Sequence, residues 1–135
     1  MVIALGSNLG DRRYNLLRAV HAIGSVVRVV RMSSIIETEP VDAPPPRYLN
    51  AVLTGYTSLE PEALMAALLA IESRLGRARR DVRNEPRVID LDLILYGGHR
   101  RRGTVVTVPH PRFREREFVM APLREIWQAS ILDRP

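Results

Sequence analysis

The chain reads as an α+β protein with elements in the order β-α-β-β-α-β. That is the order of a ferredoxin-like sandwich, an antiparallel sheet with helices packed on one face and long loops at its ends. Three observations carry the reading: β-branched runs that suit strands, apolar residues recurring every three or four positions that suit helices, and proline or glycine between them. Residues 2–5 are a short apolar strand, broken by GSNLGD. From Asp11, placed as an N-cap, Leu16, Leu17, Val20 and Ile23 recur at helical spacing. Residues 26–36 read as a strand that runs into ETEPVDAPPPR, where four prolines within seven residues forbid regular structure. Residues 48–57 are another strand. Pro61 then opens a helix with the stripe Leu64, Leu68, Ile71 and Leu75, closed by Gly76. After an arginine-rich loop comes RVIDLDLILY, stopped by Gly97-Gly98. A GGHRRRG turn, a short strand over 104–108 and a last helix over 117–128 follow.

Composition limits the function classes. At 135 residues the chain is expected to be one domain, residues 1–135, around one core. It has no cysteine, which excludes disulfides and thiolate metal sites. Its start lacks a basic region and no run reaches membrane-spanning length, so a cytoplasmic protein without membrane contact is expected. The net charge is +5, and all 20 basic residues are arginine. A GC-rich genome explains the preference for arginine, but the placement calls for an anionic partner. Arg74, Arg77, Arg79, Arg80, Arg83 and Arg87 crowd the segment before one strand, and Arg112, Arg114 and Arg116 crowd a second segment.

The strand that the first group precedes carries Asp90 and Asp92. Successive strand side chains alternate, so the two carboxylates share one face, originating about 6.6 Å apart, while Ile89, Leu91 and Leu93 share the other. Like charges so placed need water and salt, an arginine or a metal ion between them. A row of solvated carboxylates is one reading. Magnesium is the other, since it takes one or two carboxylates together with substrate phosphates, and guanidiniums nearby would grip those phosphates. No Walker-type phosphate loop occurs, and without lysine none can. GSNLGD is either a phosphate-binding turn or an ordinary capped turn. His110, fixed between Pro109 and Pro111, suits a phosphate contact, an acid–base role or a plain turn. Tyr48 and Asn50 alternate onto one strand face and could stack on and read a flat heterocycle, or simply surface the sheet.

Four ordered blocks, GSNLGDR, TEPV…YLNAV, GRARRDVRNEPRVIDLDLILYG and VPHPRFREREFVMAPL, closely resemble 6-hydroxymethyl-7,8-dihydropterin pyrophosphokinases of folate biosynthesis. The similarity runs from near Val2 to near Leu123. It implies transfer of pyrophosphate from ATP to the pterin hydroxymethyl group, with release of AMP. It also implies two Mg²⁺ ions on Asp90 and Asp92, and small-molecule partners only, with no nucleic acid. Thr38, Val41, Tyr48, Asn50 and Phe118 would line the pterin site. Glu72, Arg77, Arg87, Thr107, His110 and Arg116 would form the ATP and phosphate set, with Arg77 and Arg79 catalytic beside the aspartates. A monomer is expected, and the segment between Gly76 and Arg87 is expected to act as a lid.

Three positions depart from the pattern. Asn84-Glu85 stands where many members have a tryptophan-glycine pair, Pro111 where some have tyrosine, and Glu39 where some have proline. Two rival readings use the same residues. One is an RNA-binding module, which fits poorly with aromatics at 5% of the chain. The other is a Mg²⁺-dependent phosphohydrolase, which needs no heterocycle pocket.

Overall fold

A computed structural model describes residues 1–39, 47–76 and 87–127. The elements are β1 (Val2–Ser7), α1 (Arg12–Ile23), β2 (Arg28–Met32), β3 (Ile36–Thr38), β4 (Tyr48–Tyr56), α2 (Pro61–Arg74), β5 (Asp90–Leu95), β6 (Arg101–Arg102), β7 (Thr107–Val108) and α3 (Glu117–Ile126). A 3-10 turn at Phe113–Glu115 precedes α3. The main sheet has the order β2-β4-β1-β5, with β3 also on β4, and every pairing is antiparallel. With β2 and β3 counted as one broken strand, this is the ferredoxin-like arrangement that the sequence predicts.

The sheet is covered on both faces rather than on one. Ile3, Leu5, Leu53, Leu91 and Leu93 pack against Leu16, Ala19 and Ile23 of α1 and Leu64, Leu68 and Ile71 of α2. On the opposite face Val2, Ala4, Val52 and Ile94 pack against Phe113 and against Val119, Leu123 and Ile126 of α3. The physical cause is in β1, whose six residues are all buried. A strand without polar alternation needs cover on both sides.

Local chemistry sets the ends of the elements. The Asp11 carboxylate accepts the Tyr14 N–H at 3.1 Å and caps α1. Gly76, at φ 107°, stops the chain after α2 in a conformation that disfavours side chains. The strand predicted over 26–36 breaks at Ser33. There the Ser33 N–H donates to the Val52 carbonyl (2.9 Å), while its hydroxyl takes the place of a backbone acceptor for the Val52 N–H (3.0 Å). Beyond the break, the Glu125 carboxylate accepts the Ser34 N–H and hydroxyl at 2.8 and 2.6 Å, tying α3 to the start of β3.

Other boundaries differ from the sequence reading. β5 begins at Asp90 because Arg87 is tied instead to the first loop. Its N–H donates to Asn8 Oδ1 (2.6 Å), and its carbonyl accepts the Asn8 N–H (3.0 Å). The strand expected over 104–108 contracts to Thr107–Val108 and pairs with Arg101–Arg102, inside the predicted turn. Gln128, the expected end of the last helix, lies outside the described residues. Among those residues no helix is long and apolar enough to cross a membrane.

Candidate active site

Two rows of residues cross the centre of the sheet. Asn50 on β4 pairs with Gly6 on β1, which pairs with Asp90 on β5; in the next row Val52, Ala4 and Asp92 stand together. Directly paired residues share a face, and residues two apart along a strand do too. Tyr48, Asn50, Gly6, Asp90 and Asp92 therefore look out from one side of the sheet. It is the side that α3 covers further along, at Val2, Ala4 and Val52.

Gly6 makes room in the middle of the row. A Cβ placed on it would lie 2.9 Å from Asn50 Oδ1 and 3.3 Å from Tyr48 Cδ1. Any side chain there must displace the two residues expected to meet a heterocycle. Sequence reasoning missed Gly6 by assigning it to a turn. Its signal was a glycine directly following an apolar strand, which often marks a close backbone approach. Asn50 is buried, and its amide donates to the Thr38 hydroxyl across the β3–β4 pair. Thr38, Tyr48 and Asn50 thus come together where β3 meets β4.

At the β5 end, Arg87 Nη1 lies 3.0 Å from Asp90 Oδ1, with both side chains largely buried. Arg87 thus supplies Asp90 with one of the neutralisers that the sequence left open. The His110 N–H donates to the Ile94 carbonyl at 2.8 Å, which hangs the histidine beside β5. Burial lowers the His110 pKa from its ordinary value; the charge of Asp92 opposes that shift and Arg116 reinforces it. The Arg116 guanidinium lies 5.7 Å from the centre of the Phe118 ring. Asp92, His110, Arg116 and Phe118 therefore gather where α3 begins. Thr107 sits on β7, opposite Arg102. Glu72 is 2% exposed and accepts the Leu91 N–H at 2.7 Å, behind the aspartate face. Val41, Arg77 and Arg79, the expected lid and Asn84-Glu85 all lie outside the described residues.

His110 gives a pH expectation for the metal-free protein. A histidine whose folded pKa is lowered binds fewer protons folded than unfolded in the window just below 6.5. Its contribution is complete above that value and is lost as pH falls through the window. Replacing His110 with asparagine should flatten the dependence of melting temperature on pH between about 6.5 and 5. An unchanged slope would place the acid sensitivity elsewhere.

The carboxylates suit a hard divalent cation. They share a face, and their direct partners on β1 are the small Gly6 and Ala4. Among the described residues no group of three or more histidine or acidic side chains forms a metal cage. Mg²⁺ does not need one, because it completes its shell with water and substrate phosphates.

A family model described as 7,8-dihydro-6-hydroxymethylpterin-pyrophosphokinase matches residues 2–128. The chain belongs to this family. It is 44% identical over 129 residues to the 2-amino-4-hydroxy-6-hydroxymethyldihydropteridine pyrophosphokinase of Bacillus subtilis, covering 93% of this chain and 77% of that protein. To the enzyme of that name from Methylorubrum extorquens it is 39% identical over 127 residues, covering 92% and 80%. A folate synthesis bifunctional protein of Arabidopsis thaliana is 40% identical over 135 residues, which are 98% of this chain and 28% of the plant protein. The chain thus spans about a quarter of the length of such bifunctional relatives.

One position where the chain departs from the family pattern has a structural role here. Glu39 pairs with Arg47 at 2.7 Å, Arg47 also reaches Glu37 at 3.5 Å, and Arg12 holds Glu37 at 3.0 Å. The glutamate thus joins a charge cluster flanking residues 40–46.

Proposed function

We propose that this chain transfers pyrophosphate from ATP to the hydroxymethyl group of 6-hydroxymethyl-7,8-dihydropterin. ATP is the co-substrate of the family. The observation that carries the reading is the Asn50–Gly6–Asp90 row. It sets the Asn50 amide and the Asp90 carboxylate on either side of β1, with a glycine between them over which Asn50 and Tyr48 close. A flat heterocycle over Gly6 would present its edge to Asn50 and Thr38 and its faces to Tyr48 and Phe118, with Val41 at the rim. Its substituent would point toward Asp90 and Asp92.

In the reaction the hydroxymethyl oxygen bonds to the β-phosphorus of ATP. The bond from that phosphorus to the α–β bridging oxygen breaks, AMP leaves with this oxygen, and the hydroxyl proton passes to solvent. Arg87, His110, Arg116 and Thr107 line the phosphate side, with Arg77 and Arg79 contributed by the arginine segment. His110, whose pKa burial lowers, can donate a hydrogen bond to a phosphate oxygen. Asp90 and Asp92 would hold two Mg²⁺ ions, which supply charge neutralisation for the phosphates. Arg87 would then pass from Asp90 to the nucleotide as the metal takes its place. The working unit in this reading is residues 1–135, acting as a monomer on small molecules.

Incubation with ATP, Mg²⁺ and the hydroxymethyl pterin should yield AMP one-for-one with pterin pyrophosphate. ADP as the main product contradicts the proposal. So does nucleotide breakdown that proceeds equally well without pterin, the behaviour of a phosphohydrolase.

Asn50→Ala should weaken pterin binding by about 1–3 kcal/mol, roughly 5- to 150-fold, because polar ring edges would be buried unpaired. ATP binding should stay within about twofold. Thr38→Val, which removes only the partner of Asn50, should have a smaller effect in the same direction. Calorimetric titration with each ligand separates these outcomes, and equal weakening of both ligands would make Asn50 structural.

A further inference from the structure

Glu72 is a carboxylate on the last full turn of α2, buried to 2% exposure among the apolar side chains of the helix-covered face. A charge in such surroundings persists only where strong hydrogen bonds match it. One bond it makes is to a particular amide, the N–H of Leu91 at 2.7 Å. Among the described residues β5 ends the main sheet, with β1 on one side and no further strand of that sheet on the other. Amides facing outward from such an edge need partners from elsewhere. Leu91 lies between Asp90 and Asp92, and its own side chain points into the core behind them.

We infer that Glu72 is a positioning residue for the Asp90–Asp92 pair and not a nucleotide ligand. By fixing the amide between the two aspartates it fixes how the backbone at that point is turned. That in turn sets the directions in which the two carboxylates leave the strand. This inference rests on the assignment of Asp90 and Asp92 to Mg²⁺.

The test measures Mn²⁺ binding by electron paramagnetic resonance in the presence of a non-hydrolysable ATP analogue. Binding of a fluorescent ATP analogue is measured separately in chelator. Glu72→Gln keeps an acceptor for the Leu91 amide and should leave both values within about threefold. Glu72→Asp withdraws the acceptor by one methylene, and Glu72→Ala removes it. Both should weaken Mn²⁺ binding about 10-fold or more, in the range seen when groups that orient metal ligands are lost, with metal-free nucleotide affinity nearly unchanged. If Glu72→Ala fails to fold, the aspartate variant carries the comparison. Loss of metal-free nucleotide affinity in Glu72→Gln would make Glu72 a nucleotide ligand and overturn the inference. Unchanged Mn²⁺ binding in folded Glu72→Asp or Glu72→Ala would overturn it too. Asp92→Ala serves as the reference: if it also leaves Mn²⁺ binding intact, the metal assignment itself has failed, and not only the role of Glu72.

Discussion

Asp92→Ala is expected to lower turnover by about 10³-fold or more while the protein stays folded. The magnitude follows from removing a charge that organises metal and phosphate, which is worth several kcal/mol at about 1.36 kcal/mol per decade. Folding should survive because Asp92 is only partly buried and faces away from the α1–α2 side of the sheet. Asp92 also supplies the negative charge that opposes the downward shift of His110. The same variant should therefore lower the His110 pKa further in metal-free protein, as read from the ring-proton shifts by NMR. Asp90→Ala should be equally inactive but different in stability. The sequence suggests that removing either carboxylate relieves repulsion, yet Arg87 already offsets the charge of Asp90 at 3.0 Å. Asp90→Ala should consequently bring no gain in melting temperature, because it leaves a half-buried guanidinium without that partner. Turnover in both variants within tenfold of the parent would remove the two aspartates from the chemistry.

Gly6→Val should weaken pterin binding by about 1–3 kcal/mol, again roughly 5- to 150-fold, without touching any residue expected to bind ATP. The first added carbon would already press on Asn50 Oδ1 at 2.9 Å and on the Tyr48 ring at 3.3 Å. The two valine methyls extend further into the space between Asn50 and Asp90. Gly6→Ala should fall between the parent and Gly6→Val. Fluorescence titration with the pterin, beside titration with an ATP analogue, gives the split. Pterin affinity that survives both substitutions would mean that the ring binds away from β1.

Much of this site could be read in the sequence because strand periodicity is rigid. Asp90 with Asp92, and Tyr48 with Asn50, share faces by counting in twos, and the structure places them so. What counting could not supply was pairing between strands. Nothing local says that Gly6 stands between Asn50 and Asp90, because the partners lie more than forty residues apart. The break at Ser33 was hidden for a related reason. A serine hydroxyl substituting for a backbone acceptor leaves the β-branched pattern around it intact. The second covering helix face was foreshadowed by the unbroken apolar run of β1, but which helix would cover it depended on tertiary packing. Burial of Glu72 was equally illegible, since a glutamate at helical spacing reads as a solvated face until a strand amide is brought to it.

The central position of β1 sets an order of assembly during synthesis. It is made before both of its neighbours in the sheet, β4 and β5. At about 5–20 residues per second, an apolar strand made at once waits several seconds for its second flank. β4 can close one side of it and bring Asn50 to Gly6, whereas Asp90 and Asp92 arrive only with β5. Contacts so distant along the chain form slowly, because a long loop must close first. The half of the site proposed to read the ring can therefore be built on the nascent chain before the half proposed to handle phosphate exists. A ribosome-stalled chain ending just before Asp90 is the form in which that half-built sheet, with one side of β1 still bare, would be captured by a chaperone.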